Sequence, residues 1–555
     1  MKGFIKTTVM LFLVVLVLGS VFAGGRRQDT QARSTAPVGQ REYGTTADGP
    51  FGAYAQPITV HVVKGIHSTE ADRWSQLTRL TGETLYDNRW TRLFEQELNI
   101  KIEYMWVVDE SQFQQRWQLV MASGQLPDVR QVSLADMKNM DDAGLIHPDL
   151  AGIYNSYASP DLKEAIDAIG FGALEAVTFN GQMKAIPHTR ANTDDVKYTF
   201  IREDWLDAVG MKAPTTIDEM MDVMQAFVTR DPDRNGRNDT FGISAENSLW
   251  YHFGPIFWAY GANPEYWVRT SDGRLAAGLI QQDMKEPLRK LQEMYSKGYM
   301  DPEFPLKSEF QAKPLINANR VGINFAGFWE VGNLGPLLQN VPTAKWGVYP
   351  LPKRNASDPP TSVRIGSGVT NGWVINKNFT TPEAIVKMLN LALEMHINKS
   401  HIYHNAEVSD LWAISPVYAF NPRNSLQAFD AIYSVQQGQR RYQDITPAQQ
   451  ALYDSLNTNV SNLVMYGQGE RSSLYQLKQI VDNNLIIGNQ FFGLPTPTMI
   501  ERQGALEELT RSALINIIAN GANVDSTFDR FVSDWRAQGG DRITTEVNQW
   551  YQSQR

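Results

Sequence analysis

The chain has 555 residues, a formal net charge of −9 and no cysteine. The missing cysteine excludes disulfides, thiolate metal sites and cysteine nucleophiles, and an acidic chain without a long basic run lacks the positive face that nucleic acid requires. The length suffices for two or more domains.

The start of the chain reads as an export signal. Lys2 and Lys6 precede an apolar run at 9–18, about ten residues and too short to span a bilayer. Ser20, Val21, Phe22 and Ala23 then offer a cut after Ala23, so residues 1–23 are expected to be a signal peptide. An uncleaved anchor is the alternative. Residues 24–56 are polar with little apolar periodicity and read as a flexible tether. No cysteine follows the apolar run to carry a lipid. A freely diffusing exported protein is retained only within an outer membrane, so a periplasmic location is expected.

From there strands and helices alternate. Residues 58–63 read as a strand and 85–98 as a helix. Ile100, Ile102, Tyr104 and Trp106 alternate with Lys101, Glu103 and Met105 as a period-2 strand. A helix at 113–122, a strand reached through 126–129 and a helix at 134–143 follow. Alternation with short turns predicts a mostly parallel sheet covered on both faces. Residues 179–187 carry a turn at Gly181. Strand 198–201 opens a second unit. In it Thr216 and Glu219 stand at capping-box spacing before Ile217, Met220, Met221, Met224, Phe227 and Val228, one apolar helical face. Apolar segments at 249–261, a helix at 287–298, strands at 321–329, 346–351 and 372–376, and a helix at 382–394 come next. Beyond 400 the chain is mostly helical. Phe528, Phe531, Val532 and Trp535 form one face there, with Gly539 and Gly540 as the stop.

The segment after the capped helix is rich in oxygen donors. Asp231, Asp233 and Asn235 are spaced i, i+2, i+4, Gly236 is sixth, Arg237 offers a carbonyl and Asp239 a further carboxylate. Calcium needs six to eight oxygens around one point, and such a loop supplies most of them. An ordinary Asx-rich surface turn is the alternative.

Six tryptophans sit at element ends or in glycine-rich turns: Trp90, Trp250, Trp258, Trp329, Trp373 and Trp412. An indole face covers the apolar C–H face of a sugar, and in open sheets the ligand crevice lies outside the carboxyl ends of the strands. The competing reading places each in the core. Trp205 and Trp535 fit helix-packing faces. Enzyme signals are weak: His401 and His404, near His396, lack a third metal ligand, and the glycines at 366–372 miss the dinucleotide spacing by one.

Arg202, Asp204, Trp205, Leu206, Gly210, Pro214, Thr215 and Thr216, the acidic loop, and the stretch 528–551 together resemble the extracellular solute-binding proteins (family 1) of ABC importers. The branch is the long one that includes alginate-oligosaccharide-binding proteins. The resemblance implies an α/β protein of two lobes, a type II periplasmic binding protein with a ligand cleft, a multi-strand hinge and a helical C-terminal part. It places lobe 1 at 57–190 and 330–398 and lobe 2 at 191–329 and 399–555, with packing of the C-terminal helices on both lobes left open, and crossings near 189–196 and after 321–329. It puts Trp329 and Trp258 at the ligand. It implies a structural calcium held by Asp231, Asp233, Asn235, Arg237 and Asp239, with Thr240 where relatives carry a closing acid. The expected ligand is an oligosaccharide, the partners are ABC permease subunits, and the protein is a monomer without catalysis. An acidic sugar would need cleft cations, for which Arg89, Arg130, Arg190 and Arg202 lie near suitable junctions. A peptide ligand, a polysaccharide-active glycosidase or lyase, and a sensor subunit are the alternatives.

Overall fold

The structure is a computed structural model that describes residues 48–553 apart from 67, 170–171, 190–192, 194–195, 367, 405–407 and 409–410. The expected signal peptide and most of the tether lie outside the described residues. The strands that organise the chain are, in order, Ile58–Ile66 (β1), Ile100–Asp109 (β2), Val129–Ser133 (β3), Ile186–Pro187 (β4), Tyr198–Arg202 (β5), Phe241–Ile243 (β6), Trp267–Arg269 (β7), Leu275–Ala277 (β8), Val321–Ala326 (β9), Trp346–Tyr349 (β10), Val363–Ile365 (β11), Asn371–Ile375 (β12) and Ile486–Gly488 (β13). They form two sheet-centred lobes. The first holds the parallel pair β1–β2 and the sheet β3-β12-β4. The second holds the sheet β10-β5-β9-β6, the hairpin β7–β8 and the parallel pair β11–β13.

The sheets are mixed rather than mostly parallel. β12 runs antiparallel to both β3 and β4, and β5 runs antiparallel to both β9 and β10, whereas β6 and β9 are parallel. The reversed strands β5 and β12 are the ones that enter a lobe directly from the other. A strand arriving from the interlobe side points away from it, while its neighbours end there.

The helix Ile217–Thr229 shows how sequence becomes packing in the second lobe. The Thr216 hydroxyl accepts the Glu219 N–H at 3.2 Å and the Glu219 carboxylate accepts the Thr216 N–H at 3.3 Å, so two orphan donors are satisfied. Ile217, Met220, Met221, Met224 and Phe227 are buried on the sheet. Contact is close because Gly242 on β6 and Gly322 on β9 have no side chain. A Cβ at Gly322 would stand 2.2 Å from the Phe227 ring, and one at Gly242 would stand 2.5 Å from the Met224 Cβ.

Three expectations are corrected. Residues 330–365 stay with the second lobe, because β10 pairs with β5 from Trp346–Arg202 to Tyr349–Thr199 and Val363 and Ile365 lie in the second-lobe core. β9 ends in glycine and aromatics like a crossing, yet it is an interior strand with partners on both sides. The chain passes from the first lobe to the second between β4 and β5 and returns between β11 and β12. Tyr403 and residues 411–420 lie over the first lobe, where Tyr403 packs 5.0 Å from Trp90 and the Tyr418 hydroxyl meets Gln131. The chain then crosses a third time, and Ala428, Phe429 and Ile432 enter the second-lobe core. Gly539 and Gly540 do not end the helical part. Gly539, at φ 124, kinks the chain between helices Val524–Trp535 and Asp541–Ser553.

Candidate functional site

The strand ends that face the crossings carry the candidate site. On the second lobe, β6 and β9 are parallel, and just past the end of β6 the Ser244 N–H donates to the Ile323 carbonyl at 3.0 Å. The two connections that follow hold Glu246 and Glu330, which are 0% and 3% exposed. Glu246 accepts the Ser248 N–H at 2.6 Å. Leu249 then adopts φ 69, a strained value for leucine, where the chain turns into helix Trp250–Ala259. That helix carries Tyr251 and His252. The Lys197 ammonium, which ends the first crossing, stands 3.5 Å above the Tyr251 ring, and the Ser244 hydroxyl lies 3.4 Å from His252 Nε2. Burial, and then the Lys197 charge, push the His252 pKa down to about 3, so this ring is neutral. Lys313 approaches Glu330 at 4.0 Å. This wall is polar, charged and enclosed.

The first-lobe wall is aromatic. Trp412, Tyr418 and Phe420 are half-buried and mutually packed, with centroids 5.0, 5.2 and 5.5 Å apart. Tyr418 also meets Trp373 and His188 edge-on, each at 5.3 Å. Its hydroxyl donates to the Gln131 side chain at 2.7 Å, and the Phe420 N–H donates to the Thr189 hydroxyl at 2.8 Å. Two lobe-1 strands and the first crossing thus fix the cluster. Arg130 neighbours Gln131 on β3. Its guanidinium lies 3.9 Å from the Phe113 ring and 4.6 Å from Trp117, and burial lowers its pKa to about 10 against the pull of Glu110, Asp136 and Tyr418.

The six tryptophans are therefore divided. Trp412 is in the aromatic wall, and Trp373, 4% exposed, lies beneath Tyr418. Trp250 opens the helix of the polar wall, half-buried and 5.6 Å from Phe257. Trp90 is corrected to core: it is 0% exposed, stacks on Phe94 and donates its indole N–H to the Leu411 carbonyl at 3.0 Å. Trp258 also joins the second-lobe core, 4% exposed and packed over Gly254. Both face inward because helical spacing put them on the buried side. Trp329 lies in the turn Phe328–Leu334 after β9, and its side chain is outside the described residues. Arg89 is committed to Glu83 at 2.7 Å and Arg202 to Asp204 at 2.7 Å, the latter at the far end of β5. Arg190 lies outside the described residues. Composition pointed to tryptophan and missed Tyr418, Phe420, His188, Lys197 and Glu246. The alternation Tyr418-Ala419-Phe420 after Trp412 was the available signal.

In the acidic loop Asp231, Arg234 and Gly236 take positive φ, and the Asp231 carboxylate accepts the N–H groups of Asn235 and Gly236 at 3.0 Å each. The Asn235 amide bridges Asp233 at 2.9 Å and Asp239 at 3.1 Å. Asp233 Oδ1 is buried without a hydrogen bond. Burial, reinforced by Asp231, raises the Asp233 pKa. The Thr240 hydroxyl donates to the Phe227 carbonyl at 2.6 Å, which ties it to the preceding helix. Among the described residues no three His, Asp or Glu side chains form a ready metal cage. His404 pairs through Nδ1 with His396 at 3.3 Å rather than with His401.

Comparison with known proteins shows the family. Residues 90–386, more than half of the chain, match the family described as bacterial extracellular solute-binding protein. The polygalacturonan/rhamnogalacturonan-binding protein YtcQ of Bacillus subtilis is 23% identical over 549 residues, 98% of either chain. Among solved structures, the Streptococcus pneumoniae ABC-transporter substrate-binding protein FusA in complex with kestose superposes with a TM-score of 0.61 at 16% identity, covering 90% of this chain and 100% of that one. The alginate-binding protein AlgQ2, solved without calcium ion, superposes with a TM-score of 0.59 at 15% identity, covering 92% and 100%. The names of these proteins state sugar ligands, and the two solved structures share the two-lobed fold.

Proposed function

This chain belongs to the bacterial extracellular solute-binding proteins, and from that premise we propose that it captures an oligosaccharide between its lobes and delivers it to the permease of an ABC importer. The observation that carries the carbohydrate reading is the aromatic wall of Trp412, Tyr418 and Phe420 beside the crossings. Ring faces cover the apolar faces of sugar rings, and the polar groups opposite bond the hydroxyls. Arg130 and Lys197 give the site cations suited to an acidic sugar. The names of the relatives agree with this class.

The mechanism is a population shift. A ligand that touches both lobes only when they close stabilises the closed form, and no covalent step is involved. Micromolar affinity corresponds to about −8 kcal/mol, within reach of a few stacked rings and a set of hydrogen bonds. The test is titration calorimetry of residues 24–555 with oligogalacturonides, fructooligosaccharides and short peptides, followed by mass spectrometry of the ligand. Binding of a sugar recovered intact supports the reading. Binding of peptides alone replaces the ligand class, and cleavage of the sugar replaces transport with catalysis.

A structural calcium in the acidic loop belongs to the same reading. The chemistry of the donors supports it: Asp231, Asp233 and Asp239 crowd around Asn235, and a divalent cation would take up the buried Asp233 oxygen and offset the mutual repulsion of these carboxylates. Asp231, Asp233, Asn235 and Asp239, with the Arg237 carbonyl, would hold it, and it would brace the loop rather than take part in binding. Export to the periplasm with cleavage after Ala23, and a monomeric state, complete the proposal. Intact mass of the exported protein and its elution volume test these two.

A further inference from the structure

A second pocket lies in the second lobe, and none of the residues that form the two walls of the candidate site lines it. It has a volume of about 240 Å³ and opens between the hairpin β7–β8 and the strand pair β11–β13. The helix Trp250–Ala259 runs from one place toward the other. Its first turn belongs to the polar wall, and Asn263, just past its end, lines the pocket. Ten residues of helix span about 15 Å.

The chemistry of this pocket is unusual for a structural void. Its lining includes Arg364 and Arg269 and no carboxylate. Arg364 is 7% exposed. Its guanidinium donates to the Asn263 side-chain oxygen and to the Ser362 carbonyl, the latter at 2.8 Å, both neutral groups. A buried cation is ordinarily paired with an anion, because desolvation is costly. Here burial lowers the Arg364 pKa to about 10, and only Tyr266 opposes it.

The walls are braced. The Trp267 N–H donates to the Asn489 side chain at 2.9 Å, the Gln490 N–H donates to the Trp267 carbonyl at 3.2 Å, and the Trp267 ring packs edge-on against Phe491. The Gly278 N–H donates to the Tyr266 carbonyl at 2.8 Å, and a Cβ at Gly278 would stand 2.0 Å from the Asn263 carbonyl oxygen. The pocket thus joins an arginine without a carboxylate partner, two aromatic rings and amide groups on a fixed frame. Its volume lies just below the range typical of drug-sized ligands.

We propose that the pocket lined by Arg364, Tyr266, Trp267, Asn263 and Gln490 is a second binding site, for a carboxylate-bearing monosaccharide such as a hexuronate. The carboxylate meets Arg364, with Arg269 at the rim. The sugar face lies on Trp267 or Tyr266, and its hydroxyls meet Asn263 and Gln490. This site stands whatever solute the interlobe site takes.

Titration of residues 24–555 with D-galacturonate, D-galactose and acetate tests it. Galactose keeps the ring without the carboxylate, and acetate keeps the carboxylate without the ring. The expected result is that galacturonate binds at least about tenfold more tightly than either, as loss of a charge-assisted contact demands. Arg364→Gln should abolish this binding, Arg269→Glu, on the exposed rim, should weaken it severalfold, and Trp412→Ala should leave it unchanged. Should Arg364→Gln fail to fold, Arg269→Glu decides. Equal binding of galactose or acetate overturns the proposal, as does no binding of galacturonate. Binding that survives the arginine changes, or that is lost in Trp412→Ala, assigns the sugar to the interlobe site and also overturns it.

Discussion

At the scale of the residue, burial separates chemically identical side chains. Trp90 is enclosed and bonded to Leu411, while Trp412 is half-buried among the rings of the first-lobe wall. Trp90→Ala should cost about 3–5 kcal/mol of stability in denaturant unfolding. Trp412→Ala should cost less stability and weaken oligosaccharide binding at least about tenfold in calorimetry, as removal of a buried interface aromatic does. The acidic loop divides in the same way. Asp233→Asn should remove any rise of Tm with calcium, since Asp233 carries the buried oxygen without a partner. Thr240→Val should lower stability by about 1 kcal/mol through the lost bond to Phe227 and leave the calcium effect intact. A calcium effect that vanishes in Thr240→Val would return that hydroxyl to the ion. The sequence shows the tryptophans and acids as types and spacings, and it does not show which way each faces.

At the scale of the element, local chemistry is legible and pairing is not. The capping box of Thr216 and Glu219 and the buried face from Ile217 to Phe227 were both readable, because cap and helix depend on neighbours within four residues. Thr216→Ala should therefore cost about 1 kcal/mol. Gly322→Ala should cost more, at least about 2 kcal/mol in the same unfolding measurement, because the added methyl meets the Phe227 ring within a close-packed interior. A neutral Gly322→Ala would mean that the helix can lift from the sheet. The antiparallel entry of β5 and β12 was not readable. Strand direction depends on where the chain comes from, and a period-2 pattern is the same in either direction.

At the scale of the whole molecule, buried histidines link stability to pH. Burial lowers His396 to about 4, burial and then Lys197 lower His252 to about 3, and burial and then His396 take His404 well below its ordinary value. The unfolded chain takes up these protons near pH 6.5 and the folded chain does not. Stability from this source is complete above about pH 6.5 and is lost as pH falls toward 3. Tm should be level near neutrality and fall across that window, and a rise on acidification would contradict the buried neutral rings. By itself the sequence determined the family, the α/β class, the capped helix and the oxygen-rich loop, since these reside in composition and short-range spacing. Only the tertiary structure decided that 330–365 stays in the second lobe, that Tyr403 and 411–420 cover the first, and that Trp412, Tyr418, His188 and Trp373 meet. Those contacts join residues far apart in the chain, and no local pattern encodes which distant surface a buried face will meet.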